Sequence, residues 1–191
     1  MRKMITVLFA ILVISMTWGT ASAYDITNDD NEIESWEDQP VQVDTTTMAF
    51  DWRSACNRSM DTWNGVGANF TYINKQNSST NIVTIGKFNL SHTDWAAQET
   101  RTTGVIMPNG HREKTSSLIQ INMNPNIIWS TSTTQNFSVA DVQSVVLHEL
   151  GHSLGLGHSE YSTAVMQGEY RADKRILTSD DIDGIIAIYG T

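Results

Sequence analysis

The chain has 191 residues, enough for one medium domain with its own core and not comfortably enough for two. A formal charge of −9 at pH 7 argues against nucleic acid as a partner, because phosphate is held by clustered Lys and Arg. The single cysteine, Cys56, excludes an intrachain disulfide, so the fold must stand on its core and on any bound metal.

Arg2 and Lys3 precede an apolar run from Ile5 to Met16, and Ala21-Ser22-Ala23 then offers a small-x-small cleavage site. Residues 1–23 are expected to be a signal peptide that directs the chain out of the cell. The run is shorter than the roughly 20 residues of a membrane span, so no membrane attachment is expected once it is removed. Its removal takes two cations and no acids, moving the charge from −9 to −11. Residues 24–44 are rich in Asp and Glu, contain no Lys or Arg, and show neither a helical nor a strand period. They are expected to form an acidic N-terminal segment or a short pro-segment, with the catalytic domain spanning 45–191.

A first helix is expected over Ala49–Trp63, capped by Thr46 or Thr47, with Ala49, Trp52, Cys56, Met60 and Trp63 on one face. Cys56 on that face reads as a small core hydrophobe rather than a reactive thiol. Phe70–Ile73, Ile82–Ile85 and Ser117–Asn122 read as strands, the first two separated by an Asn/Ser-rich turn. A second helix is expected to begin at Ser138, with Val142, Val145, Val146 and Leu150 facing inward. A last helix from about Ser179 to Tyr189 has Thr178 as its cap and Gly190 as its stop, and Ile182, Ile185 and Ile186 as its buried stripe. This order suggests an α+β fold.

The chemistry lies in His148-Glu149-Leu150-Gly151-His152-Ser153-Leu154-Gly155-Leu156-Gly157-His158. Positions i and i+4 share a helix face, so His148 and His152 can present ring nitrogens to one ion. Glu149 is offset by about 100° around the axis and can approach a water there without being a ligand. Gly155 permits the sharp turn that brings His158 back as the third ligand. Three protein ligands and an open position are the arrangement of a catalytic zinc, and Glu149 is expected to act as general base. His92, Asp94 and His111 remain: each histidine reads as a loop residue, with a second metal as the alternative. Five Asn-x-Ser/Thr sequons, at Asn57, Asn69, Asn77, Asn89 and Asn136, are acceptor sequences for glycans.

The His-Glu-x-x-His-x-x-Gly-x-x-His run resembles the metzincin signature. Ser159 after the third histidine, Ala164-Val165-Met166, and Leu177-Thr178-Ser179-Asp180-Asp181-Ile182-Asp183-Gly184-Ile185 resemble the matrixin, or matrix metalloproteinase-like, branch over roughly residues 45–191. The resemblance implies a zincin-like (metzincin) fold: a twisted mixed sheet, mostly parallel with one antiparallel edge strand, and three helices. It implies a secreted, extracellular zinc metalloendopeptidase with one catalytic zinc and Met166 as the apolar floor beneath it. A protein or peptide substrate would bind extended along the edge strand, beside a pocket walled by the segment after Met166 and by Tyr170. The enzyme is expected to be a monomer.

Several family features are missing or incomplete. No Pro-Arg-Cys-Gly motif stands before residue 45, and no propeller-type domain is expected after the catalytic one. Gln167-Gly168 stands where a proline is usual, and His92 with Asp94 matches only part of a structural-zinc set; calcium is left open. Latency, if present, would use another device, such as an acid from residues 24–44 reaching the zinc. The rival from another class is an inactive, metal-holding protein that captures peptides, which the retained Glu149 disfavours.

Overall fold

The structure is a computed structural model and describes residues 24–26, 31–75, 81–89, 95–169 and 174–191. The proposed signal peptide, His92, Asp94, Asn77 and Tyr170 lie outside the described residues. The elements in chain order are β1 (Glu34–Ser35), β2 (Val41–Asp44), α1 (Phe50–Asn64), β3 (Tyr72–Asn74), β4 (Ile82–Phe88), β5 (Ala97–Ile106) and β6 (Arg112–Asn122). They are followed by β7 (Trp129–Ser130), β8 (Ala140–Asp141), α2 (Val142–Leu154) and α3 (Ser179–Tyr189).

The main sheet runs β3-β2-β4-β6, all parallel, with β5 antiparallel on β6 and β1 parallel to the first residues of β6. This is the expected mixed sheet with three helices. Alternation explains two strands that were anticipated, where Val83, Ile85, Ile119 and Ile121 turn inward and are buried; Val41 and Val43 do the same in β2, which was not anticipated. Trp52, Ala55, Cys56, Met60 and Trp63 of α1 share that core, with Cys56 Sγ 3.8 Å from Met48 Sδ. Burial pushes the Cys56 thiol up to about 12, which makes it the inert core group expected of it.

The structure differs from the sequence reading at several local points. The globular part begins before Thr45, since β1 and β2 are already strands of the sheet and β2 lies between β3 and β4. A cut at residue 44 would remove that strand. α1 has Ala49 as its N-cap with no side-chain bond; the Thr46 hydroxyl bonds Asp44 instead, at 2.6 Å. α2 starts at Val142 rather than at Ser138, because Asp141 accepts from Ser144 N and Oγ at 2.8 and 2.7 Å. In α3 the buried isoleucines are Ile185 and Ile188, with Ile182 and Ile186 only partly covered. β5 gave no period-2 signal, because an edge strand with one wet face carries Gln98, Glu99, Thr100, Arg101 and Thr102.

Candidate active site and metal centre

α2 carries the first two histidines and is fixed at both ends. At its start, Arg175 reaches both oxygens of Asp141, with Nε at 2.9 Å and a terminal nitrogen at 2.5 Å, and also binds the carbonyls of Ser132 and Thr133. Burial pushes the Asp141 carboxyl up, but Arg175 and Ser144 outweigh it and hold it below the usual range. At its end, Gly155 adopts φ 107°, and a Cβ there would fall 2.2 Å from the Glu34 carbonyl. Only glycine serves at that position, which confirms its expected role as the turning point. Gly155 N donates to His152 O at 2.9 Å and Leu156 N to Gly151 O at 3.1 Å, so the chain reverses and returns His158.

His148, His152 and His158 come together, each offering a ligand atom within 4.8 Å of the others. His148 Nδ1 lies 2.8 Å from Val165 O, and His152 Nδ1 lies 2.7 Å from Leu156 O. A carbonyl can only accept, so these Nδ1 atoms carry the protons and each Nε2 keeps a lone pair for a metal. Burial lowers His148 to about 4 and His152 well below its ordinary value, which keeps both rings neutral and ready to ligate. A zinc ion fits this donor set of neutral imidazoles. The described residues hold no other group of three or more such side chains. His111 is in the β5–β6 turn with its Nδ1 3.0 Å from Ser35 Oγ. Asp25 lies against Gly157, whose N–H donates to its carbonyl at 2.7 Å, and is not one of the converging group.

Glu149 lines the same cavity, about 370 Å³ in volume, between β5, α2 and the segment Gln167–Glu169. Its Oε2 is buried with no hydrogen-bond partner. Burial, reinforced by the charge of Glu99, raises its carboxyl to about 8 in the metal-free protein. A buried carboxyl that accepts from the Glu99 backbone and keeps its second oxygen unpartnered, beside three imidazoles, is suited to exchanging a proton with something bound in the cavity.

Met166 is fully buried beneath α2. A Cβ on Gly151 would lie 2.2 Å from Met166 Sδ and 2.9 Å from Trp63, so Gly151 lets the methionine close against the helix. Sequence reasoning passed over Gly151. Asp181 fixes this turn by accepting from Val165 N, Met166 N and Thr178 N at 3.0, 2.9 and 2.8 Å. Asp180 accepts from Ser159 Oγ at 2.6 Å, while Ser159 N donates to Met166 O at 2.8 Å. Ser159 and the Asp180-Asp181 pair, first singled out as family marks, therefore brace the third ligand and the methionine turn. Lys174, also unanticipated, donates to the carbonyls of Ser162 and Ala164 at 2.7 and 2.5 Å.

The carbonyls of α2 are themselves held by side chains from other elements. Trp63 Nε1 donates to Leu147 O at 2.8 Å and Tyr72 Oη to Leu150 O at 2.9 Å. Lys114 Nζ donates to His152 O at 2.8 Å, Trp36 Nε1 to Ser153 O at 2.7 Å and Tyr189 Oη to Leu154 O at 2.9 Å. The last two satisfy carbonyls that a helix C-terminus otherwise leaves without a partner, and Lys114 adds a second donor to His152 O beside Gly155 N.

Compared with known proteins, residues 36–190 match the matrixin family, Peptidase_M10. The chain is 32% identical over 145 residues to Metalloendoproteinase 2-MMP of Arabidopsis thaliana, covering 72% of this chain and 37% of that protein. It is 50% identical over 58 residues to interstitial collagenase of Sus scrofa, covering 30% and 12% respectively. It is 53% identical over 49 residues to matrilysin of Rattus norvegicus, covering 24% and 18%. The matched stretches thus span little more than a third of these relatives at most.

Proposed function

This chain belongs to the matrixin family, and from that premise we propose that it is a secreted zinc-dependent metalloendopeptidase acting on extended protein or peptide substrates. The Nε2 atoms of His148, His152 and His158 would hold the ion. Zinc in such a site supplies a Lewis acid that polarises a peptide carbonyl and acidifies water. Glu149 takes a proton from the attacking water and delivers it to the departing amine nitrogen. β5 pairs only β6 among the described strands, so its outer edge offers N–H and C=O groups to an extended substrate. Met166 supports the two ligands on α2 from below, and the enzyme works as a monomer.

Export rests on Arg2, Lys3, the Ile5–Met16 run and Ala21-Ser22-Ala23. Any later cut must spare β1 and β2, so a removable pro-segment would end before Ile33 rather than at Asp44.

The observation that carries the proposal is a buried, unpartnered Glu149 oxygen in the same cavity as three imidazoles, two of them held at Nδ1 by backbone carbonyls. Purified protein should cleave an unstructured protein, and a zinc chelator should abolish this. Glu149→Gln should lower kcat by roughly 10²–10⁴-fold while leaving the zinc content at one ion per chain. A wild type that retains zinc and binds peptides without cleaving them would replace this proposal with the capture protein.

A further inference from the structure

Lys114 is a lysine on β6 whose side chain is wholly buried. Its ammonium reaches the carbonyl of His152, 2.8 Å away, the atom on which Gly155 N also closes. That carbonyl belongs to a ligand residue and sits where α2 ends and the chain turns towards His158. The other anchors of this helix end, Trp36 and Tyr189, take the carbonyls of Ser153 and Leu154, which are not ligands.

The cation is embedded in a balanced quartet. Glu34 Oε2 lies 3.5 Å from Lys114 Nζ and is ion-paired with Arg101, which in turn lies 3.5 Å from Glu99. Two cations and two carboxylates balance one another within this quartet. A buried cation at a helix C-terminus meets the negative end of the peptide dipoles, and a charge-assisted bond to a carbonyl is stronger than a neutral one. His152 is then gripped twice, through its ring at Leu156 O and through its backbone at Lys114.

We infer that Lys114 is a positioning residue for the metal centre, fixing the His152–His158 turn so that the second and third ligands are set for zinc before the ion arrives. The inference rests on the proposed zinc site. Partners that hold the ring of a ligand change metal affinity by about 10–100-fold when removed, and a grip on the ligand's own backbone is expected at the lower end of that range. The role is distinct from general stability, because the bond grips a ligand residue rather than its neighbours.

The test is zinc affinity, measured by competition with a chromophoric chelator on the metal-free full chain. Lys114→Met keeps the linear apolar stem and removes the ammonium, and should raise the zinc dissociation constant by about tenfold or more. Lys114→Gln, a shorter uncharged donor, should do the same and carries the test if Lys114→Met does not fold. Trp36→Phe is the control: it strips a neighbouring carbonyl that belongs to no ligand and should lower the melting temperature while changing zinc affinity far less than either Lys114 variant. Zinc held by a folded Lys114 variant as tightly as by the wild type would overturn the role of Lys114, as would an equal loss of zinc affinity in Trp36→Phe. If the wild type took up no zinc, the metal-site proposal itself would fail, an outcome read before any variant is made.

Discussion

α1 and α2 are both long helices set into the same core, yet they are held in different ways. α1 presents Trp52, Ala55, Cys56, Met60 and Trp63 to the core, and its carbonyls that receive side chains receive them from its own next turn: Ser54 to Phe50, Ser59 to Ala55 and Thr62 to Arg58. The carbonyls of α2, beyond the bond of its own Ser153 Oγ to Leu150 O, receive side chains from elsewhere: Ser59, Trp63, Tyr72, Lys114, Trp36 and Tyr189. Apolar packing is non-directional, and a helix held by it alone keeps some freedom to slide and rotate. Hydrogen bonds to the backbone fix both rotation and axial position. The helix that must hold two imidazoles in register is the one built with directional contacts from the rest of the fold.

Two substitutions put this contrast to work, and the larger is in α1. Met60→Ala removes a buried side chain and should cost about 2–5 kcal/mol in a urea titration. Because α1 contributes no ligand, the zinc dissociation constant of the folded variant should match the wild type. Tyr72→Phe keeps the ring and loses the hydroxyl that donates to Leu150 O and pairs with Ser153 Oγ. It should cost roughly 1 kcal/mol, since Leu150 O keeps the Ser153 hydroxyl as a donor and loses only one of two side-chain hydrogen bonds. Its effect should appear in zinc affinity as well as in stability. If Met60→Ala weakened zinc binding more than Tyr72→Phe, the distinction between the two helices would collapse.

The same contrast explains what could be read from the sequence. The histidines, Glu149, Gly155 and the Thr178–Asp181 start of α3 were legible because each depends on spacing within a few residues. The clasp around α2 was not legible, because Trp36, Tyr72, Lys114 and Tyr189 meet their acceptors 35 to 117 residues away and follow no period. Ser138 looked like a cap by local pattern, but Asp141 won because it also pairs with Arg175, far along the chain. Glu34 hid within an acidic run that reads as solvated, although Arg101 and Lys114 draw it inside. β5 was missed because an edge strand shows one face to water and has little apolar alternation to display.

The smallest expected effect tests the chain leading into α1. Lacking a side-chain cap at Ala49, α1 follows a turn organised by Asp44, which accepts from Thr46 N and Oγ1 at 3.0 and 2.6 Å and from Lys75 Nζ at 2.7 Å. The Lys75 bond, with the Thr46 hydroxyl, lowers the Asp44 carboxyl from 3.8 to about 2. A lowered carboxylate stabilises the fold above its unfolded value and loses that contribution as pH falls through its folded one. Asp44 should therefore contribute fully above about pH 4 and lose its effect between about pH 4 and pH 2. Solvent around Lys75 screens the pair, so the contribution is about 1 kcal/mol. Asp44→Asn should lower stability by that amount at pH 7, and urea titrations of the metal-free proteins should converge as pH drops from about 4 to about 2. Zinc affinity at pH 7 should not change, because this turn feeds α1 and touches no ligand. An Asp44→Asn variant that lost zinc affinity without losing stability would link the start of α1 to the metal centre and break the separation drawn between the two helices.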